Sequence, residues 1–312
     1  MSSRVLVMKI EQLSAVSRAW DELHSQAQNA IPFTCYAWYA ALAKNLIKMD
    51  PGVFTFLDED KLVGVIPARI IDHRLELIGD ERVTDISGMI HLPGYEDRII
   101  EHLAEYLTQN DLGIDLYPLE KHSPLATALR SRLSGLTVQK KDSCPLLKLP
   151  RTWEDYLNGL AAKSRHELRR KMNKINGVSL RDVQPSDIER LFRLMSLSDR
   201  QKQDFLQEDV INFFREISNV FHKIGWLRMR AAIVNDRVIS MILAFASADR
   251  VYLFNMGFEP EFRNLSPGIV TIGLDIRAAI EEKYDYYDFL RGDEDYKYRL
   301  GARERYTVRV TR

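Results

Sequence analysis

The apolar pattern of the chain runs through one order of elements twice, and that repeat limits the fold more than any single residue does. In the first half, Leu13, Val16, Trp20, Leu23 and Ala27 fall at helical spacing. GVFTFL-DEDK-LVGVIPARI then reads as a hairpin, turned at the acidic cluster Asp58 to Asp60. A loop with Pro93-Gly94 leads into a helix through Ile99, Leu103 and Leu107 and a short strand, GIDLYPL. In the second half, Ile188, Leu191, Phe192 and Met195 mark one helix, and Val210, Phe214, Ile217, Phe221 and Ile224 mark another. The hairpin here is WLRMRAAIV-ND-RVISMILAF, turned at Asn235-Asp236. Leu227, Met229, Ala231 and Ile233 form its buried face, and Trp226, Arg228 and Arg230 its open one. A strand RVYLFNMGF, a loop with Pro267-Gly268, a helix striped by Ile269, Ile272, Ile276 and Ile280, and a strand YDYYDFL complete the second pass.

Both halves therefore read helix, hairpin, Pro-Gly loop, helix, strand. Two copies of one α/β unit explain this most simply, and 312 residues suffice for two domains of roughly 100–200 residues each. Proline punctuation in DSCPLLKLPRTW, ahead of a new helix at Trp153, puts the boundary near Pro150, giving domains 1–150 and 151–312.

Composition removes several classes of function. Lys plus Arg number 44 and Asp plus Glu number 44, a balance without the basic surplus that a DNA binder needs. Cys35 and Cys144 are the only cysteines, too few for a disulfide framework and without metal-ligand spacing, so they read as buried thiols and no metal is expected. MSSRVLVMKIEQ turns polar too early for a signal-peptide core, and no stretch approaches the ~20 apolar residues of a membrane span. The expected location is the cytoplasm.

Three segments concentrate chemistry. FEPEFRNLSPG, Phe258 to Gly268, lies between a strand and an amphipathic helix. A helix start leaves backbone N–H groups unpaired, so it suits an anion: Ser266 can cap it, Pro267 fits its first position, Gly268 allows close approach and Arg263 adds charge. A well-capped helix that binds nothing fits the same pattern. YDYYDFLRGDEDYKYRLGA, Tyr284 to Ala302, packs charges and tyrosines just past a strand end, where open α/β sheets place ligands. KSRHELRRKMNKI, Lys163 to Ile175, turns Leu168, Met172 and Ile175 to one face. Lys163, Arg170 and Lys174 lie opposite as a solvated face, while Arg165 and Arg169 flank the stripe and are better placed for an anionic ligand. There is no G-x-S-x-G, H-E-x-x-H, P-loop or G-x-G-x-x-G, and His166 and His222 read as structural or exposed.

These residues carry a family likeness. Met256 to Gly268 resembles the acyl-CoA pyrophosphate loop of GNAT acetyltransferases, R/Q-x-x-G-x-G/A, as Arg263-x-x-Ser266-x-Gly268 with serine for the first glycine. That S-P-G, with D-F-x-R-G-D-E-x-Y-K-x-R-x-G at Asp288 to Gly301, resembles the CelD/BcsL-like acetyltransferase family, relatives of the Fem-type peptidyltransferases. P-F-x-x-x-x-W at Pro32, Phe33 and Trp38, the Val83-Thr84-Asp85 stretch and W-x-x-Y-L-x-x-L-x-x-K-S-R-x-x-L-R-R from Trp153 extend the likeness along the chain.

The resemblance implies an α/β (α+β) fold of tandem GNAT-like domains, each a mixed central sheet flanked by helices. It implies an N-acyltransferase that uses acyl-CoA, acetyl-CoA foremost, without a metal. The degenerate N-terminal domain would serve an amine acceptor, a small molecule or a cell-envelope precursor, and the C-terminal one the donor and catalysis. Arg263, Asn264, Ser266 and Gly268 would hold the donor's phosphates. Lys297 would polarise the carbonyl or steady the tetrahedral intermediate, with Asp293 or Tyr296 relaying the proton. Trp38, Asp85, Arg165, Arg169 and Arg291 would serve the acceptor or an anionic group. The rivals are a Fem-type enzyme taking its acyl group from aminoacyl-tRNA and a non-catalytic scaffold.

Overall fold

Alternation makes the strands of this chain, 3.6-residue stripes make its helices, and proline sets several of the breaks between them. The computed structural model describes residues 6–175 and 177–312; the opening residues 1–5 of the segment weighed above as a leader lie outside them. Contacts divide the chain into two compact units, Met1–Asp142 with Tyr306–Arg312, and Ser143–Arg305.

The first unit comprises β1 (Leu6–Gln12), α1 (Ser17–Gln26), α2 (Tyr36–Leu42), β2 (Gly52–Asp58), β3 (Lys61–Ile66), β4 (Ala68–Ile71), β5 (Arg74–Leu77), β6 (Ile90–His91), α3 (Glu96–Gln109), β7 (Gly113–Glu120), α4 (Pro124–Thr127) and β8 (Thr137–Ser143). The second comprises β9 (Leu146–Lys148), α5 (Trp153–Gly159), α6 (Ala162–Lys174), β10 (Ser179–Asp182), α7 (Ile188–Ser198), α8 (Arg200–Phe205), α9 (Glu208–Lys223), β11 (Leu227–Val234), β12 (Arg237–Ser247), β13 (Arg250–Phe258), α10 (Pro267–Glu281), β14 (Tyr286–Asp288) and α11 (Asp295–Arg299). The last strand, β15 (Tyr306–Thr311), pairs antiparallel with β7 and so rejoins the first unit.

The fold is mixed α/β. In the first unit one sheet runs β1-β2-β3-β6 and another β4-β5-β7-β15-β8; the second unit has a single sheet, β10-β11-β12-β13-β14-β9. The sequence pattern missed β1 and β10, which pair as edge strands and need little apolar alternation of their own. It also ran LVGVIPARI as one strand. Pro67, which cannot donate to a ladder, splits it into β3 and β4, and the halves enter different sheets. The unit boundary falls at Asp142 rather than Pro150 because Leu146, Leu147 and Lys148 already pair with β14, and the chain's last residues leave the second unit.

In the second unit, successive β13 residues point to opposite faces, and each face receives a helix. A Cβ on Gly257 would overlap the α7 backbone, 2.5 Å from the Leu194 carbonyl carbon. A Cβ on Gly268, in the first turn of α10, would overlap the Met256 methyl. Only glycine lets α7 come so close at Gly257, whereas at Gly268 the flexible Met256 tip could shift aside. Gly257→Ala is accordingly expected to cost about 1–3 kcal/mol, since the α7 backbone cannot yield as a side chain would; urea denaturation at wild-type stability would show the contact to be loose.

The hairpin of β11 and β12 turns at Asn235 and Asp236, both at positive φ. Its second face is not open, as the alternation suggested. Arg228 is 5% exposed and Arg230 is largely covered, because α10 presents a fully buried Asp275 to both. Arg228 Nε lies 2.9 Å from Asp275 Oδ1 and Arg230 Nη1 3.1 Å from the same oxygen; Glu282 pairs with both arginines, and Asp182 with Arg230. Tyr287 Oη on β14 donates to Asp275 Oδ2 at 2.8 Å. These bonds tie β11, α10 and β14 together. Beneath them Ile272, Ile276, Ala279 and Ile280 pack on Ile242, Ala244, Val251 and Tyr287.

Candidate active site

The parallel pair β13–β14 is short. Arg250, Val251 and Tyr252 face Tyr286, Tyr287 and Asp288, and beyond them β13 runs on from Leu253 to Phe258 without β14, still paired with β12 on its other side. Two local features accompany the end of the pairing. On β13 the register against β12 shifts between Leu243 and Ala244, so that Phe254 is an extra, bulged residue. After β14, Leu290 takes a positive φ of 52°, held by its N–H on Asp288 Oδ1 at 3.0 Å. Asp288 is fully buried and clamped by Arg305 Nη2 at 2.7 and 2.8 Å. The strands thus part as a wedge at the C-terminal end of β13, where pairing with β14 has ended.

The first turn of α10 abuts that wedge. Residues Pro260–Leu265, read from sequence as loop, form a 3-10 helix, and Ser266 sits at the N-cap of α10 in the left-handed region, φ 54° and ψ 51°. A capping side chain needs extended backbone there, and the Ser266 hydroxyl makes no capping bond. Pro267 has no N–H and Val270 N bonds Ser266 O at 3.2 Å, so the amides of Gly268 and Ile269 are the ones at this helix start that suit another acceptor. Arg263 is exposed, with Nη2 3.5 Å from Ser198 O and its guanidinium 5.8 Å from the Phe258 ring centroid. Asn264 gives its carbonyl to Lys174 Nζ at 2.9 Å. Lys174 therefore serves this segment and does not merely face water. Arg165 and Arg169 reach α5 instead, at Asn158 O (3.4 Å) and Glu154 Oε2 (3.3 Å).

Past β14 the chain folds back through α11. Lys297 is 3% exposed, and its ammonium contacts Arg291 O at 2.8 Å, Gly292 O at 3.2 Å and Glu294 Oε2 at 2.9 Å. Its ion-pair partner is thus Glu294, neither of the neighbouring aspartates: Asp295 pairs with Arg299, and Asp293 is exposed. Tyr296 packs edge-on to Phe289, and burial raises its pKa, so the phenol stays protonated at neutral pH. It can donate a hydrogen bond, and the same shift makes it a weaker acid. Trp38 and Asp85 lie buried in the first unit, Trp38 edge-on to Phe33 with ring centroids 4.9 Å apart, where it serves packing. Burial pushes the Cys35 thiol up to about 12, which removes it as a nucleophile. His166 and His222 are exposed.

Sequence reasoning missed two residues at the wedge. Lys202, on α8, donates to Met256 O at 2.6 Å, and Asn255 Oδ1 accepts the N–H of Met256 at 3.1 Å. Asn255 was detectable as a lone amide in an apolar strand; Lys202 stands in a polar run, DRQKQD, that carries no periodic signal. Among the described residues no cluster of His, Cys, Asp and Glu could hold a metal, and no helix is long and apolar enough to cross a membrane.

Residues 162–298, which hold the wedge, α6, α10 and α11, match the acetyltransferase (GNAT) domain family. The fold is similar to that of FemX (TM-score 0.68, 11% identity, 97% of this chain and 96% of that one). It is also similar to L-PGS from Bacillus licheniformis (0.61, 10%, 95% and 91%). A tandem GNAT protein from the clavulanic acid biosynthesis pathway is a further likeness (0.51, 12%, 98% and 98%). No curated protein sequence matches the chain. The fold is thus a tandem GNAT fold of the Fem-like kind, and the GNAT match supports acyl transfer as the general activity.

Proposed function

We propose that the chain is an N-acyltransferase that moves an acyl group from acyl-CoA, acetyl-CoA foremost, to an amine. The carrying observation is the wedge between β13 and β14 beside the uncapped start of α10, inside the segment that matches the GNAT family. A thioester donor needs a strand edge for its arm and a cationic helix start for its phosphates, and in this reading the β13 edge beyond β14 and the start of α10 serve as these. Arg263 and the amides after Ser266 are the phosphate-binding groups in this reading. Asn264 and Gly268 act through backbone: the Asn264 carbonyl anchors Lys174, and Gly268 brings α10 against β13.

The amine nitrogen attacks the thioester carbon, the C–N bond forms, the C–S bond breaks, and the thiolate leaves. Positioning and donors aimed at the developing oxyanion would supply most of the rate. Lys297 is the cation at the loop after β14. Exposed Asp293 suits uptake of the proton that the attacking nitrogen must lose, while Tyr296, which burial makes a weaker acid, suits a hydrogen bond to the leaving sulfur, whose thiolate takes its proton from water. Arg291 remains a candidate for the acceptor. The first unit, with Trp38 and Asp85 inside it, supports the acceptor side through its fold. The acceptor would be a small amine or a cell-envelope precursor, and the reaction would run in the cytoplasm.

The neutral overall charge weighs against the aminoacyl-tRNA rival, whose donor is a large polyanion. Calorimetry decides the donor. Arg263→Ala is expected to weaken CoA binding roughly tenfold through loss of one charge-assisted contact, and Ser266→Asp to weaken it by more, through repulsion. Unchanged affinity in both variants would move the donor away from α10.

A further inference from the structure

Where β14 turns away, Met256 of β13 has no strand partner on that side, and its N–H and C=O would otherwise be a template for an added strand. Both groups are taken, and by side chains. The Lys202 ammonium holds the carbonyl at 2.6 Å, and the Asn255 carboxamide, from the neighbouring residue, turns back to accept the N–H at 3.1 Å. Such an arrangement satisfies a buried edge without a partner chain. It is also asymmetric in origin, since Asn255 belongs to the strand while Lys202 comes from α8, directly after the helix that packs on Gly257.

We propose that Lys202 and Asn255 form a displaceable plug on the β13 edge, which an amide-bearing arm of the donor must push aside to pair with Met256. This rests on the acyl-CoA reading above. One extended amide offers the donor and acceptor that Met256 lacks once both side chains leave. Burial lowers the pKa of the Lys202 ammonium and the nearby Lys297 lowers it further, against the pull of Asp199 and of Glu294, which already pairs with Lys297. A ligand without an amide at this height gains nothing by displacing the plug, so the pair selects for the arm, not the phosphates.

The test compares two ligands, CoA and adenosine 3′,5′-bisphosphate, which has phosphates but no arm. In wild type and in Lys202→Met, calorimetry gives the ratio of the two affinities. Loss of the ammonium leaves the Met256 carbonyl open, so that ratio is expected to rise about tenfold in Lys202→Met, while Lys202→Arg, which can keep the bond, holds the wild-type ratio. Equal changes for both ligands would reduce Lys202 to a distant charge and overturn the plug alone. A rise in Lys202→Arg matching that in Lys202→Met would overturn it too. If wild type and variants bind neither ligand, the acyl-CoA reading falls and takes the plug with it.

Discussion

Asp275→Ala is expected to destabilise the protein by about 3–5 kcal/mol, the usual result of stripping one partner from a buried charge pair. Asp275 is fully buried on α10 and receives Arg228 Nε, Arg230 Nη1 and Tyr287 Oη. Alanine removes the acid and leaves Arg228, 5% exposed, with Glu282 as its remaining carboxylate among the described residues. Arg230 suffers less, because Asp182 and Glu282 still hold it. The loss of volume alone is small for so short a side chain, so the orphaned guanidinium should dominate. A double variant, Asp275→Ala with Arg228→Met, separates the two causes. It removes the stranded charge, and is expected to regain about 1 kcal/mol or more over the single variant. Denaturant unfolding checks this, and a double variant as unstable as the sum of the singles would mean that packing governs.

That network marks the limit of what the sequence discloses. Period alone made α7, α9, α10 and the β11–β12 hairpin legible, since each has a sustained apolar stripe or alternation. Arg228 and Arg230 obeyed the alternation yet face a helix, because a charge can be buried once a partner on another element covers it. Asp275 sits among Ile272, Ile276 and Ile280 and interrupts the stripe, but which strand would answer it depends on the tertiary fold. The same holds at the wedge. Ser266, Pro267 and Gly268 announced a helix start, and the structure has one there. That Ser266 would be left-handed, with its hydroxyl idle, follows from the 3-10 helix before it, which the sequence read as loop. Lys202 had no local signal because its bond is to a backbone atom 54 residues away.

Lys297→Met carries the largest expected effect on turnover, on the order of 10²–10³ in kcat with donor affinity little changed, as is usual when an oxyanion-stabilising group is lost. The geometry makes this a demanding test. All three donors of the Lys297 ammonium are engaged, by Arg291 O, Gly292 O and Glu294 Oε2, so it already braces the loop after β14. To reach a reacting carbonyl it must give up one bond, and Glu294, whose carboxylate is more than half exposed, is the partner water can replace most easily. Methionine keeps the stem and deletes the charge, and would unsettle the brace as well as any chemistry. Measuring three quantities on one variant separates these roles: melting temperature, CoA affinity, and thiol release from acetyl-CoA well below the melting point. A brace alone lowers the melting temperature and damages binding and turnover in proportion. A charge acting on the transition state lowers turnover far more than binding, at any temperature where the fold is intact. Glu294→Gln supplies the opposite arm, since it loosens the ammonium without removing it. Its turnover should stay at or above that of wild type if Lys297 stabilises the oxyanion, and should fall with the melting temperature if Lys297 only holds the loop.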